Sequence, residues 1–151
     1  MKNIALIILI LFLYNCGYSS IYKSQKQDFQ INFVEARGDN EMNNLIKNEI
    51  KLYMNKNSSN LFNIKIDTNY KKEILTKDSS GVTTDYKLSV KSLFTINSEN
   101  KIKQIQFNEN INIKKQADNF QQDEYEKDIK RNFASSIREK LIFAILNIND
   151  N

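Results

Sequence analysis

Apolar residues recur along this chain with two different periods, and the switches between them mark its elements. Phe29, Ile31 and Phe33 are separated by Gln30 and Asn32, the alternation of a half-buried strand. The strand ends near Gly38, where Asp39 or Asn40 can cap a helix. Over 41–56 the apolar residues fall at Met42, Leu45, Ile46, Ile50 and Tyr53, one face of a helix, and the polar stretch 55–60 closes it. Three strand patterns follow. Phe62, Ile64, Ile66, Tyr70 and Ile74 occupy even positions in the first, and Tyr86, Leu88, Val90, Phe94 and Ile96 do so in the second. Ile105, Phe107, Ile111 and Ile113 occupy odd positions in the third. Polar segments at 77–81 and 97–101 are the turns, and Gly81 supplies the positive φ that a hairpin end often needs. A long helix closes the chain. Asp118 and Gln121 resemble a capping box, and Tyr125, Ile129, Phe133, Ile137, Leu141 and Ile145 recur every four residues, with Ala134 and Ala144 beside them.

The order is therefore β-α-β-β-β-α. Each strand has one apolar face, and two amphipathic helices need a common apolar surface to cover. The expected fold is α+β, a two-layer sandwich of two helices on one face of a four-stranded mixed sheet. It fills 29–151 as a single domain, and a hydrophobic content of 40% is enough for one core.

The first 28 residues read differently. Lys2 is followed by an unbroken apolar run from Ile4 to Leu13. Ten helical residues rise about 15 Å, half of the ~30 Å hydrocarbon layer, so the run suits a secretory leader better than a spanning helix. Leu13-Tyr14-Asn15-Cys16 then resembles a bacterial lipobox, and Cys16 is the chain's single cysteine. Residues 1–15 are thus expected to be a lipoprotein signal peptide, Cys16 the site of lipid attachment and 16–28 a lipidated tether. A plain secreted protein, or a short N-terminal anchor helix with an incidental cysteine, is the other reading of this segment. Gly17 after the cysteine, by resemblance to sorted lipoproteins, permits passage to the outer membrane.

Composition narrows the chemistry. With no histidine and one cysteine, neither a Ser-His-Asp or Cys-His arrangement nor a Cys/His zinc site can be built. The three glycines are far apart, so there is no phosphate-cradling loop. Asp123, Glu124, Glu126 and Asp128 crowd the start of the last helix; a calcium or glycosidase-like role is weaker than that of acids facing water near a helix N-terminus. The expectation is a non-enzymatic protein with no catalytic residues, no metal and no cofactor. A net charge of +4, scattered along the chain, is no footprint for nucleic acid. Lys71, Lys72, Lys77, Lys114 and Lys115 lie near strand ends and are either contacts for an anionic lipid head group or solvated lysines that protect sheet edges.

Four segments carry a family resemblance. Cys16-Gly17-Tyr18-Ser19-Ser20-Ile21-Tyr22 resembles the Cys-Gly-aromatic-x-Pro-Leu-Tyr opening of the LPS-assembly lipoprotein family (LptE) in its alphaproteobacterial form, with Ser20 in place of proline. Ile46-Lys47-Asn48-Glu49-Ile50 resembles that family's Leu-Arg-Asn-x-Leu. Gly81-Val82-Thr83-Thr84-Asp85-Tyr86 resembles its Gly-x-Thr-x-Glu/Asp-Tyr, and the segment from Ala134 to Leu141 resembles its final helix. The resemblance implies two helices on a four-stranded sheet. It implies a one-to-one partnership with the outer-membrane β-barrel LptD, as plug and assembly partner, and a part in delivering lipopolysaccharide to the outer leaflet. It also implies direct binding of lipopolysaccharide, but the family's basic residues before the third strand do not transfer: Asp78-Ser79-Ser80 stands there, with Lys77 the nearest cation. An accessory lipoprotein of another envelope complex, such as a pilotin or transporter auxiliary, is the alternative.

Overall fold

The computed structural model describes residues 29–55, 57–98 and 101–149; the expected leader, Cys16 and the expected tether lie outside them. The elements are β1 (Gln30–Gly38), α1 (Asn40–Lys51), β2 (Leu61–Lys77), β3 (Thr83–Ser98), β4 (Lys101–Lys114) and α2 (Asn119–Asn149). The four strands form one sheet in the order β1-β2-β3-β4, with β1 parallel to β2 and the other pairs antiparallel. This is the α+β architecture with the mixed sheet and element order that the periodicity predicts.

Register explains why one face is apolar. Even residues of β2 oppose even residues of β3, as in Ile64 with Ile96 and Ile66 with Phe94. Even residues of β3 oppose odd residues of β4, as in Phe94 with Ile105. The offset in parity seen in the sequence is thus what keeps all three strands' apolar residues on one side. That side carries Phe62, Ile64, Ile66, Leu88, Val90, Phe94 and Ile96, all buried against Met42, Ile46 and Ile50 of α1 and Ile137, Leu141 and Ile145 of α2.

The corner between β1 and α1 is fixed by polar contacts. The Asp39 carboxylate caps α1 by accepting from the Met42 N–H at 2.8 Å. The Thr68 hydroxyl donates to Asn43 Oδ1 at 2.9 Å, and Asn43 Nδ2 donates to the Arg37 carbonyl at 2.7 Å. Buried Asn43 and Thr68 thereby satisfy each other instead of carrying a desolvation penalty.

Two boundaries differ from the sequence reading. Helix α1 stops at Lys51, not Lys56, because the chain must return to start β2 beside β1: the Asn55 N–H donates to the Phe29 carbonyl at 3.0 Å. Tyr53 is therefore off the helix but still packs on the core, under the Arg138 guanidinium at 4.5 Å. In α2, Asp118 caps the Gln121 N–H as expected, but the side chain that reaches back is the buried Gln122, which accepts from the Gln116 N–H at 2.9 Å.

Arg138 locks the two helices together. It is buried, donates to the Tyr53 hydroxyl at 2.8 Å and to Glu49 at 3.2 Å, and also reaches Ser135 and Glu139. Glu49 is only partly shielded, so the pair is screened on one side. Arg138→Ala is expected to lower unfolding stability by about 2 kcal/mol, most of it from the lost stacking and the stranded Glu49. Urea titration of the variant measures this; a loss within ~0.5 kcal/mol of wild type would rule out the lock.

Candidate functional site

One end of the sheet leaves apolar side chains exposed. There the ends of β2 and β4 and the start of β3 lie side by side: Lys77 opposes Thr83, and Asp85 opposes Lys114. The chain after β4 stays fastened to this end, because the Lys115 N–H donates to the Thr84 carbonyl at 2.8 Å. Lys77, Lys114 and Lys115 are all exposed and gather on these neighbouring strand ends.

Apolar side chains are exposed beside them. Register shifts in β2 on both sides of Thr76 disturb the alternation. Ile74 and Leu75 are both exposed as a result, and Val82 in the turn is exposed too. Ile74 does sit on the apolar face, opposite Tyr86, yet it is 55% exposed. Ile111, on the edge strand β4, and Tyr125, both expected in the core, are exposed as well. An end that joins three cations to uncovered apolar side chains suits an amphiphile with an anionic head.

The turn is built to hold this shape. Asp78 Oδ1 accepts from the N–H groups of Ser80 and Val82, each at 2.9 Å, and Gly81 takes φ +80°. Asp85 accepts from the hydroxyls of Thr76 and Thr84. These two hydroxyls, chiefly that of Thr76, hold the Asp85 carboxyl below its ordinary pKa of 3.8, with a smaller contribution from Lys114.

A depressed folded-state pKa means that Asp85 stabilises the fold above the unfolded value and loses this effect as pH falls through the folded one. The advantage of wild type over Asp85→Asn is therefore expected to be full at pH 7 and to shrink below about pH 4. Unfolding curves of both proteins across pH 2–7 measure it (on the order of five points suffices); an advantage independent of pH would contradict the hydrogen-bonded carboxylate.

The other singled-out residues go elsewhere. Lys72 is not a free contact: it lies on the helix-covered face, pairs with Glu126 of α2 and sits 4.4 Å from the centre of the Tyr86 ring. An alternating strand places it there, where a neutral stem and a paired head are both satisfied. Lys71, one residue back, is exposed on the opposite face. The acids at the start of α2 do not converge. Glu126 takes Lys72 and Gln122, Glu124 takes Lys127, and Asp128 takes Arg131. The exposed apolar rim of Ile74, Leu75 and Val82 was not legible beforehand, since nothing in the residues around 75 announces the register shifts. Cys16 lies outside the described residues. Among the described residues no helix is long and apolar enough to cross a membrane.

No family model and no curated protein matches the chain. Solved structures do share its fold. The rare lipoprotein B of Shewanella oneidensis matches with a TM-score of 0.57 and 11% identity, over 76% of this chain and 98% of that one. A lipoprotein of Caulobacter crescentus matches with a TM-score of 0.60 and 7% identity, over 82% of this chain and 90% of that one.

Proposed function

We propose that this chain is an outer-membrane lipoprotein, held at the periplasmic face by acyl chains on Cys16, that plugs and helps assemble the barrel LptD. In this role it takes part in delivering lipopolysaccharide to the outer leaflet and makes or breaks no bond itself. The observation that carries the reading is the sandwich itself. The same fold fills nearly the whole length of two lipoproteins, and here it follows an apolar run and a lipobox-like cysteine.

The surface supports it. Barrel interiors are polar, so a plug needs a hydrophilic exterior. The uncovered sheet face offers Asn32, Asn63, Gln104, Gln106, Asn108 and Asn110 in successive rows. The distal lysines and their apolar rim supply the chemistry to meet the phosphorylated, acylated part of lipopolysaccharide.

One complementation experiment tests both halves. Depletion of the chain is expected to reduce folded barrel and surface lipopolysaccharide together. A variant with Lys77, Lys114 and Lys115 all changed to Gln is expected to restore the barrel while leaving lipopolysaccharide delivery at least about threefold low, the loss of under 1 kcal/mol in a screened surface contact. Unchanged barrel and lipopolysaccharide on depletion would overturn the proposal. Full restoration of delivery by the triple variant would remove the distal end from it.

A further inference from the structure

The two edges of the sheet are unlike. In β1, Val34 is an extra residue between the pairings of Phe33 and Glu35 with β2, a bulge that blunts this edge. β4 is 14 residues long and pairs with β3 without a register shift. Just beyond it the Lys115 N–H turns to Thr84 at the start of β3. In a regular strand the odd residues of β4 therefore bond to β3 and the even ones turn outward. Ile102, Gln104, Gln106, Asn108 and Asn110 thus present their N–H and C=O groups along an open edge, with no further strand among the described residues.

The side chains of this edge complement their own copy. A second β4 laid antiparallel about a two-fold axis at Gln106 sets Ile105 opposite Phe107 and Lys103 opposite Glu109, each pair twice. Such an axis stands normal to the sheet, so the odd residues of both copies share one face. Ile105 and Phe107 are half-buried, with the Phe107 ring against Phe94 at 5.8 Å. Lys103 is exposed and has no ion-pair partner among the described residues. Glu109 takes Ser136 and Lys140 through Oε1 alone, which leaves Oε2 for Lys103 of the second copy. Lys101 faces Ile111, so no like charges meet. A shift of two residues would set Phe107 against Lys103, or Ile105 against Glu109. α2 adds to the rim. Ser136, Lys140 and Phe143 share one helix face, and the first two reach Glu109, so this face overlooks β4. Phe143 is 65% exposed there, and a second copy would cover it.

We propose that β4 is a self-association edge: two copies of this chain join β4 to β4 in one continuous sheet, with the helices of both on the same side. Backbone hydrogen bonds supply the attachment, and the Ile105–Phe107 and Lys103–Glu109 rows fix the register. An unrelated strand would have to bring an acid, a cation and two apolar groups at the same four places, which a second β4 does by symmetry. The pairing belongs to the chain free of any barrel and is read from this edge alone.

The test is disulfide trapping of the full chain in neutral detergent. Variants Q104C, Q106C and N108C are oxidised mildly, and the linked peptides are identified by mass spectrometry. In this register the two copies of residue 106 lie about 5.5 Å apart at Cα, within disulfide reach. The two copies of residue 104, or of residue 108, are four residues out of step, about 14 Å apart. Q106C is expected to link at least about tenfold faster than Q104C or N108C alone, and Q104C mixed with N108C to link within about threefold of Q106C. In the Q106C background, K103E places two like-charged pairs across the edge and is expected to slow linking at least about fivefold. K101E, with the same change in charge but opposite Ile111, is expected to stay within about twofold. Equal linking of all three cysteine variants, as random collision gives, would overturn the pairing. So would no linking of Q106C, or equal effects of K103E and K101E. The experiment contains neither barrel nor lipopolysaccharide, so its failure leaves the proposed function standing, and the failure of that function leaves this edge standing.

Discussion

Gly38→Ala is expected to destabilise the protein by about 4 kcal/mol or more, enough to leave much of it unfolded at 37 °C. Two effects add. Gly38 has φ +78°, a backbone region that costs a residue with a side chain about 1–2 kcal/mol. A Cβ there would also lie 1.8 Å from the Thr68 carbonyl oxygen and 2.8 Å from its carbon. This carbonyl cannot retreat cheaply, since it accepts the Asp39 N–H at 2.8 Å, and the Thr68 hydroxyl is tied to Asn43. Any movement would open the corner that joins β1, α1 and β2. Gly81 is the internal control. It has nearly the same φ, +80°, but nothing within 4 Å of a built Cβ, so Gly81→Ala should cost only about 1 kcal/mol. Thermal and urea unfolding of the two variants measure the difference. Similar losses would mean that φ alone matters and that the close approach at Gly38 does not.

Cys16→Ser is expected to move nearly all of the protein out of the outer-membrane fraction. Each buried CH₂ of an acyl chain contributes about 0.8 kcal/mol, so several chains on one residue outweigh any weak attraction of a modestly basic surface. Among the described residues there is no spanning helix to take over. The measurement is density-gradient fractionation of wild type and variant, with mass spectrometry of the N-terminus. The wild type should begin at an acylated Cys16. A variant that stays in the outer membrane without acyl chains would contradict the anchor. A wild type that retains residues 1–15 would point instead to the short anchor helix.

The sequence made the element order and the apolar face legible because strand alternation and helical spacing are local signals. The parity of apolar residues, even in β2 and β3 and odd in β4, already contained the antiparallel register later seen in Ile66 with Phe94 and Ile105. Signals that depend on distant partners stayed hidden. Thr68 and Ser92 are polar yet buried on the core face, and only the pairing of β2 with β3 puts them side by side. Lys72 looked like its neighbour Lys71, but alternation sends one to Glu126 under α2 and the other to open solvent. Arg138, within the last helix, gave no sign of burial because its partners are Glu49 of the other helix and Tyr53 just beyond that helix's end. The apolar spacing overextends α1 because Tyr53 keeps the helical period while the backbone has already turned.

The proposed partnership with a barrel is tested most directly by its stoichiometry. A C-terminally tagged full-length chain, extracted from outer membranes in mild detergent, is captured and its companions are quantified. One large β-barrel protein at about one copy per chain, retained through a high-salt wash that removes screened surface contacts, is the expected result. Recovery without a barrel, or with a secretin or transporter in its place, would contradict the central claim.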